Sequence, residues 1–453
     1  MTLLRASLSD AARLLSISWP LILNNLFNIG VNVADTVMAG RLDATQLAAV
    51  ALGSSIWITL FLTGLGVIMA LGPTVAQHFG AGRIKDIGHD TRQGLWLAVF
   101  ISIVIAVLLH NARPVMLWMN IESQVAILAQ GYLDAISWGI LGCYWYHCLR
   151  QMNEGLGRTV PIMVIMGTSL PINVGLNYIF MYGKFGAPPL GAIGAGLGSG
   201  LTFWLMFLFI AIYTSKAKIY RQFEIWVAPE RPDWPAMRNL LVVGLPIGGS
   251  FMLQAGLFTA VALIMGSFGT VVVAAHAVTL NYASLIFMIP LGVGMATTVA
   301  VGQAIGRGKP RDARRIGYVG ITMSLLVMCI SACATIIYAE DIARLYSGDE
   351  AVITLAVSLL LVAAVMQLGD GTQVTAAGAL RGLKDTRVPL GINAFVYWCV
   401  GFTVAYLLGV RLGYGALGVW FGLCCCLWVA GILLTLRFGS VIARLIARSR
   451  ATD

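Results

Sequence analysis

Asn24, Asn28, Asn32 and Asp35 follow one another at i, i+4, i+8 and i+11 inside an apolar run, so in a helix they occupy one face. A carboxyl beside amides can take up and release a proton, hold a small cation, or attract the ammonium group of a ligand. Such a face cannot point at lipid. It either binds neighbouring helices through side-chain hydrogen bonds, or lines a cavity that ends in a carboxylate. Asn173 and Asn177 form a second pair at i, i+4, just after Pro171, whose ring frees a backbone carbonyl and bends a helix. Both runs are expected to cross in the same direction, which puts Asn177 and Asp35 at similar depth in the outer third of the membrane. Amide donors there favour the charged carboxylate and dehydration favours the protonated one, so the group could switch with access to water. A packing role for the two Asn is the alternative.

The second half of the chain carries Gln367, Asp370 and Gln373 at i, i+3, i+6, and places Gln254 near mid-membrane, one turn after Ser250. An acid within a span is a functional hypothesis by default, whereas an uncharged amide costs less to bury. Asp134 is a third such carboxylate, for which pairing to Tyr132, His147 or a neighbouring helix is the alternative to transport. Tyr282, Phe287 and Met288 could line a cavity or fill a core. The run Gly191, Gly194, Gly196, Gly198, Gly200 lacks the Lys-Ser/Thr pair of a phosphate loop and predicts close helix packing. The five His are scattered without metal spacing, and the eight Cys lie in apolar runs as packing or lipid-facing residues. With no GxSxG, HExxH or nucleotide-binding loop, neither an enzyme nor a cofactor is expected, and energy must come from an ion gradient.

The elements that position these residues are membrane spans. Of 453 residues 59% are apolar and 11% charged, and the mean hydropathy is +0.86. That composition excludes a soluble enzyme and a disordered chain. With about 20 residues per crossing, twelve apolar stretches have spanning length, from Leu14–Ala39 to Gly415–Phe438, with the fourth at Val125–Leu149 and the tenth at Ala351–Leu368. The long polar break, Ser215 to Asn239, holds Pro229, Pro232 and Pro235. The expected organisation is an N-lobe over 1–214, a cytoplasmic linker over 215–239 and a C-lobe over 240–453. Of 29 Lys and Arg, only Arg41, Arg113, Lys184, Arg344 and Arg411 fall on the side opposite the termini, which places both termini in the cytoplasm. No Lys or Arg is expected within a span. The net charge of +10 therefore reflects topology and not a nucleic-acid partner.

The halves repeat. Shifting residues 20–94 by 226 onto 246–320 gives 19 identities in 75 positions without a gap, against about 6 from composition alone. Pro20 falls on Pro246, Gly40 on Gly266, Gln77 on Gln303 and Asp86 on Asp312. Further on, Gly155-Leu156 echoes Gly382-Leu383. Parallel repeats about an axis along the membrane normal are a transporter architecture.

Four segments resemble the multidrug and toxin extrusion (MATE) family, closest to its NorM branch. They are Pro20 to Gly40 with Asp35, LPINVGLNYIFMYG from Leu170, GLPIGGSFMLQ at the start of span seven, and GDGTQVTAAGALRGLKDTRVP from Gly369. The resemblance covers nearly the whole chain. It implies an all-α integral membrane protein of twelve transmembrane helices, in two pseudo-symmetric six-helix lobes forming a V around a central cavity. It also implies a monomer in the bacterial inner membrane that exchanges bulky, often cationic drugs or toxins for protons or sodium. Asp35 matches the family's N-lobe carboxylate, Asn173 and Asn177 the amides around it, and Asp370 the C-lobe acid implicated in cation binding. Gln254 departs from relatives that carry Glu there. A hard cation prefers charged oxygens, so proton coupling at Asp35 is expected ahead of sodium at Asp370, and no other metal. A flippase for lipid-linked precursors is the alternative function.

Overall fold

The structure, a computed structural model, describes residues 2–119, 121–227 and 230–452, and Pro229 of the expected linker lies outside them. Helices form wherever the apolar runs require their backbone groups to be satisfied internally. In order these are α1 (Thr2–Gly40), α2 (Ala44–Ile68), α3 (Leu71–Gly80), α4 (Ile84–His110), α5 (Arg113–Trp118), α6 (Ser123–Ser137), α7 (Ile140–Gly155), α8 (Val160–Tyr182) and α9 (Ala192–Lys216). After a 3₁₀ turn at Lys218–Phe223 come α10 (Trp234–Gly266), α11 (Thr270–Gly306), α12 (Pro310–Ile337), α13 (Ala339–Tyr346), α14 (Glu350–Gly382), α15 (Arg387–Ala394), α16 (Thr403–Tyr406) and α17 (Gly415–Thr452). No strand occurs among the described residues.

Eleven helical segments are long and apolar enough to span a bilayer, and the bent pair α6 and α7 makes the twelfth. The expected fourth span is thus broken: at Trp138 and Gly139 the axis turns by 50°. The tenth outruns its apolar stretch. Its hydrophobic run stops at Leu368, yet α14 continues to Gly382 and holds Asp370, Gln373 and Arg381 on one helix. The eleventh contains π-helical turns at Phe395–Phe402 and Leu407–Arg411, a form concentrated at functional sites. Exposed Leu326, Ile330 and Ile337 make an outward apolar stripe on α12.

Contacts divide the chain into two compact units, Leu23–Gly248 and Met1–Ile22 with Gly249–Asp453. These differ from the expected 1–214, 215–239 and 240–453. The first part of α1 packs with the second half of the sequence, and the first part of α10 packs with the first half. Ile22 and Gly248, where the boundaries fall, are 226 residues apart, the repeat spacing. Each crossing follows a repeat-related proline, Pro20 or Pro246. In one unit Gly66 lies against Gly248, so close that a Cβ on Gly66 would sit 2.2 Å from the Gly248 Cα. The equivalent Gly292 in the other unit lies against Ile22, where a Cβ would sit 2.5 Å from Cγ1.

The expected linker is built into the first unit. Tyr220 and Phe223 are buried, and Tyr220 Oη donates to Asn153 Oδ1 at 2.5 Å. Arg92 and His89 of α4 pair with Glu230 at 2.5 and 2.9 Å, and Trp96 Nε1 donates to the Glu230 carbonyl at 2.8 Å. The hydrogen bond from Arg92 holds the Glu230 carboxyl below its ordinary pKa.

Candidate functional site

Asp35 near the end of α1 meets α8 and α9. Asn177 Nδ2 donates to Asp35 Oδ1 at 2.5 Å, and Ser199 Oγ donates to Oδ2 at 3.3 Å. Asn177 also donates to Asn173 Oδ1 at 3.2 Å, and Asn173 Nδ2 donates to Ser199 Oγ at 3.3 Å. All four side chains are buried. The spacing of Asn173 and Asn177 on α8 sets both amides on one side, following the Pro171 bend. The close approach of α9 comes from its glycines: a Cβ on Gly198 would lie 2.3 Å from Asn177 Oδ1, and one on Gly196 2.4 Å from the Tyr132 carbonyl. The glycine run packs helices, as expected, and its packing delivers Ser199. Sequence reasoning missed Ser199, for which the only signal was its place between Gly198 and Gly200.

The residues on the polar face of α1 differ in burial. Asp35 and Asn24 are buried, but Asn28 and Asn32 between them are exposed. Asn24 is held elsewhere: its amide oxygen, turned toward Arg150, accepts from both terminal guanidinium nitrogens at 3.2 Å. Arg150 Nε in turn donates to Glu154 Oε1 at 2.6 Å, with both side chains under a tenth exposed. Arg150 and Arg381 lie near the C-terminal ends of α7 and α14, past the apolar stretches that end at Leu149 and Leu368.

In the second unit Asp370 stands differently. It makes no hydrogen bond or ion pair among the described residues, and its Oδ1 is buried without a partner. Gln373, one turn on, donates to Tyr397 Oη from Nε2 while its Oε1 stays unpartnered. The π-helical turn sets Tyr397 there. Gln254, half-buried on α10, makes no hydrogen bond to Asp370. Gln367 and Tyr282 join a different network. Ser331 donates to Gln367 Oε1 at 2.9 Å, Gln367 Nε2 donates to Thr335 at 3.3 Å, and Tyr282 and Thr335 share a hydrogen bond of 2.8 Å. Asp134 hydrogen-bonds outside the Asp35 group. It accepts from Gln130 at 2.7 Å, and His110 Nε2 of α4 lies 3.9 Å from Oδ1. Its hydrogen-bond partner is thus on its own helix, with His110 the approach from a neighbouring one, and neither Tyr132 nor His147 pairs with it. All eight Cys are free.

The two acids thus stand differently in repeat-related units: Asp35 is buried and accepts from two donors, and Asp370 is half-buried and accepts from none among the described residues. The MatE family model matches residues 20–179 and 246–407, stretches that begin on the two repeat-related prolines. Multidrug resistance protein MdtK of Yersinia enterocolitica is 40% identical over 433 residues, covering 94% of this chain and 95% of that protein. MdtK of Yersinia pseudotuberculosis is as similar, with 40% identity over the same shares of the two chains. The fold matches that of the eukaryotic MATE transporter AtDTX14, with a TM-score of 0.86 at 20% identity over 98% of this chain and 100% of that one. It also matches an outward-facing multidrug resistance MATE family transporter of the MOP superfamily, with a TM-score of 0.88 at 20% identity over 97% of each. With both repeats matched and near-full-length relatives at this identity, the chain belongs to the MatE family, as a multi-pass membrane transporter and not an enzyme.

Proposed function

We propose that this transporter exports amphipathic, mostly cationic drugs and toxins across a bacterial inner membrane, in exchange for protons that enter by way of Asp35. Both termini are cytoplasmic in this reading, the protein works as a monomer among membrane lipids, and no cofactor takes part. The relatives named for multidrug resistance favour drug export over a lipid-precursor flippase. One observation carries the coupling: Asp35 is buried, yet its two oxygens accept from Asn177 and Ser199. Burial opposes charge on a carboxyl and such donors support it, so a modest change in water access decides between the two forms. A proton needs only this one group. Sodium wants several oxygen ligands with charge among them, and Asp370 has Gln254 where a second carboxylate would help.

The test uses proteoliposomes loaded with ethidium. A pH gradient imposed in sodium-free buffer is expected to drive ethidium movement, and a sodium gradient at constant pH is expected to leave it unchanged. Movement that follows only the sodium gradient would overturn proton coupling. No ethidium movement under either gradient would overturn drug export.

A further inference from the structure

Arg381 closes α14 one residue before its end, and among the described residues no carboxylate pairs with it. The nearest acid in sequence, Asp385, is taken by Arg437 at 2.8 Å. The turn after Gly382, with Lys384 at φ 58°, carries Asp385 out of helical register with Arg381. The guanidinium instead lies over the Phe251 ring, 5.8 Å from its centre. An aromatic face holds a cation in place without neutralising it, so Arg381 keeps its full charge and its donors.

The repeat makes this unpaired charge specific to one unit. On the 227-residue spacing that sets Gly155 on Gly382, Arg381 falls on Glu154, and on the 226-residue spacing that sets Pro20 on Pro246, Phe251 falls on Asn25. At that place the first unit holds a closed pair, Arg150 with Glu154 at 2.6 Å. The second unit holds a base alone.

Arg381 shares a helix face with Asp370 and Gln373, since eleven residues make three turns. The axial separation of Asp370 and Arg381 is about 16 Å, shortened where a helical side chain reaches back toward the preceding turn. Along this row Asp370 Oδ1 and Gln373 Oε1 are buried without partners. Both atoms can accept a hydrogen bond, and the Arg381 guanidinium can donate several.

We infer that the row from Asp370 to Arg381 reads elongated zwitterions, with Asp370 taking the ammonium end and Arg381 the carboxylate end of the substrate. This deepens the proposed function, which it presupposes, from cations in general to a carboxylate-bearing subset. Arg381 acts as a specificity residue: it sorts acids from matched amines that lack the acid.

The experiment compares fexofenadine with terfenadine, the same amine bearing a methyl group in place of the carboxyl. Equilibrium binding is measured on the full chain in phosphatidylcholine nanodiscs, so that no anionic headgroup can occupy the guanidinium. Arg381→Gln is expected to weaken fexofenadine binding by about 10- to 100-fold, the range for losing a charge-assisted hydrogen bond. Terfenadine binding is expected to hold within about twofold, and Arg381→Lys to recover most of the loss. Terfenadine serves as the folding control in every variant. If both ligands weaken together, or neither changes, Arg381 does not read the carboxylate and the inference fails. Wild-type protein that binds neither ligand would instead count against the proposed function.

Discussion

Asn177 Nδ2 donates to Asp35 Oδ1 across 2.5 Å, although the two residues are 142 apart in sequence. Among the described residues the amide gives the only short hydrogen bond to this carboxyl, with Ser199 further off at 3.3 Å. Removing one donor from a charged acceptor costs about 1.5–3 kcal/mol. Asn177→Ala is therefore expected to slow ethidium export about 10- to 100-fold in proteoliposomes, and Ser199→Ala only a few-fold. Equal effects of the two substitutions would show that distance to Asp35 does not set their weight.

Asp35→Asn keeps the size and most hydrogen-bonding capacity of the side chain but cannot release a proton. It is expected to abolish drug resistance in a pump-deficient bacterium while the protein still accumulates in the membrane at the wild-type level. Resistance at the wild-type level would remove Asp35 from the coupling step.

Glu154→Gln leaves the Arg150 guanidinium buried without its counter-charge. Breaking a buried pair in this way costs about 3–5 kcal/mol, whereas replacing both partners with apolar residues is close to neutral. The single variant is expected to melt well below wild type in detergent, and Arg150→Met combined with Glu154→Leu to recover most of the loss. A double variant as unstable as the single one would mean that the Asn24 contact to Arg150 dominates.

Gly66→Ala would place a methyl group 2.2 Å from the Gly248 backbone. The helices must move apart, at a cost of about 1–3 kcal/mol. Gly175→Ala in α8 meets nothing within 4 Å and serves as the control. The first is expected to lower the unfolding midpoint and the second to leave it unchanged.

Glu230 is held below its ordinary pKa by Arg92. A group depressed in the folded state contributes stability above its unfolded pKa, and loses it as pH falls through the folded value. Attachment of the linker is therefore expected to be intact at neutral pH and to weaken only as pH falls below the ordinary glutamate range. Protease cleavage near residue 230 checks this, and Glu230→Gln is expected to bring cleavage to neutral pH.

The sequence by itself determined the class and the count of elements. Apolar runs of spanning length, the sidedness of Lys and Arg, and a 226-residue repeat depend on residue type and spacing alone, and hydrocarbon leaves the backbone no choice but helix. Helical periodicity also set Asn173 beside Asn177 and aimed both at the depth of Asp35. Tertiary structure decided what stands next to what. Ser199 reaches Asp35 because Gly196 and Gly198 let α9 approach, a relation between helices that no local pattern encodes. Asn24 and Asp35 share a face on α1 but take different partners, since Arg150 reaches one and Asn177 the other. The halves of the sequence are not the compact units: α1 and α10 each cross between units after a proline, because the close packing at Gly66 and Gly292 holds the first part of each helix against the unit it enters. Charge at the end of α14 was legible as Arg381, but whether it had a partner depended on Arg437 taking Asp385, a contact between residues 52 apart.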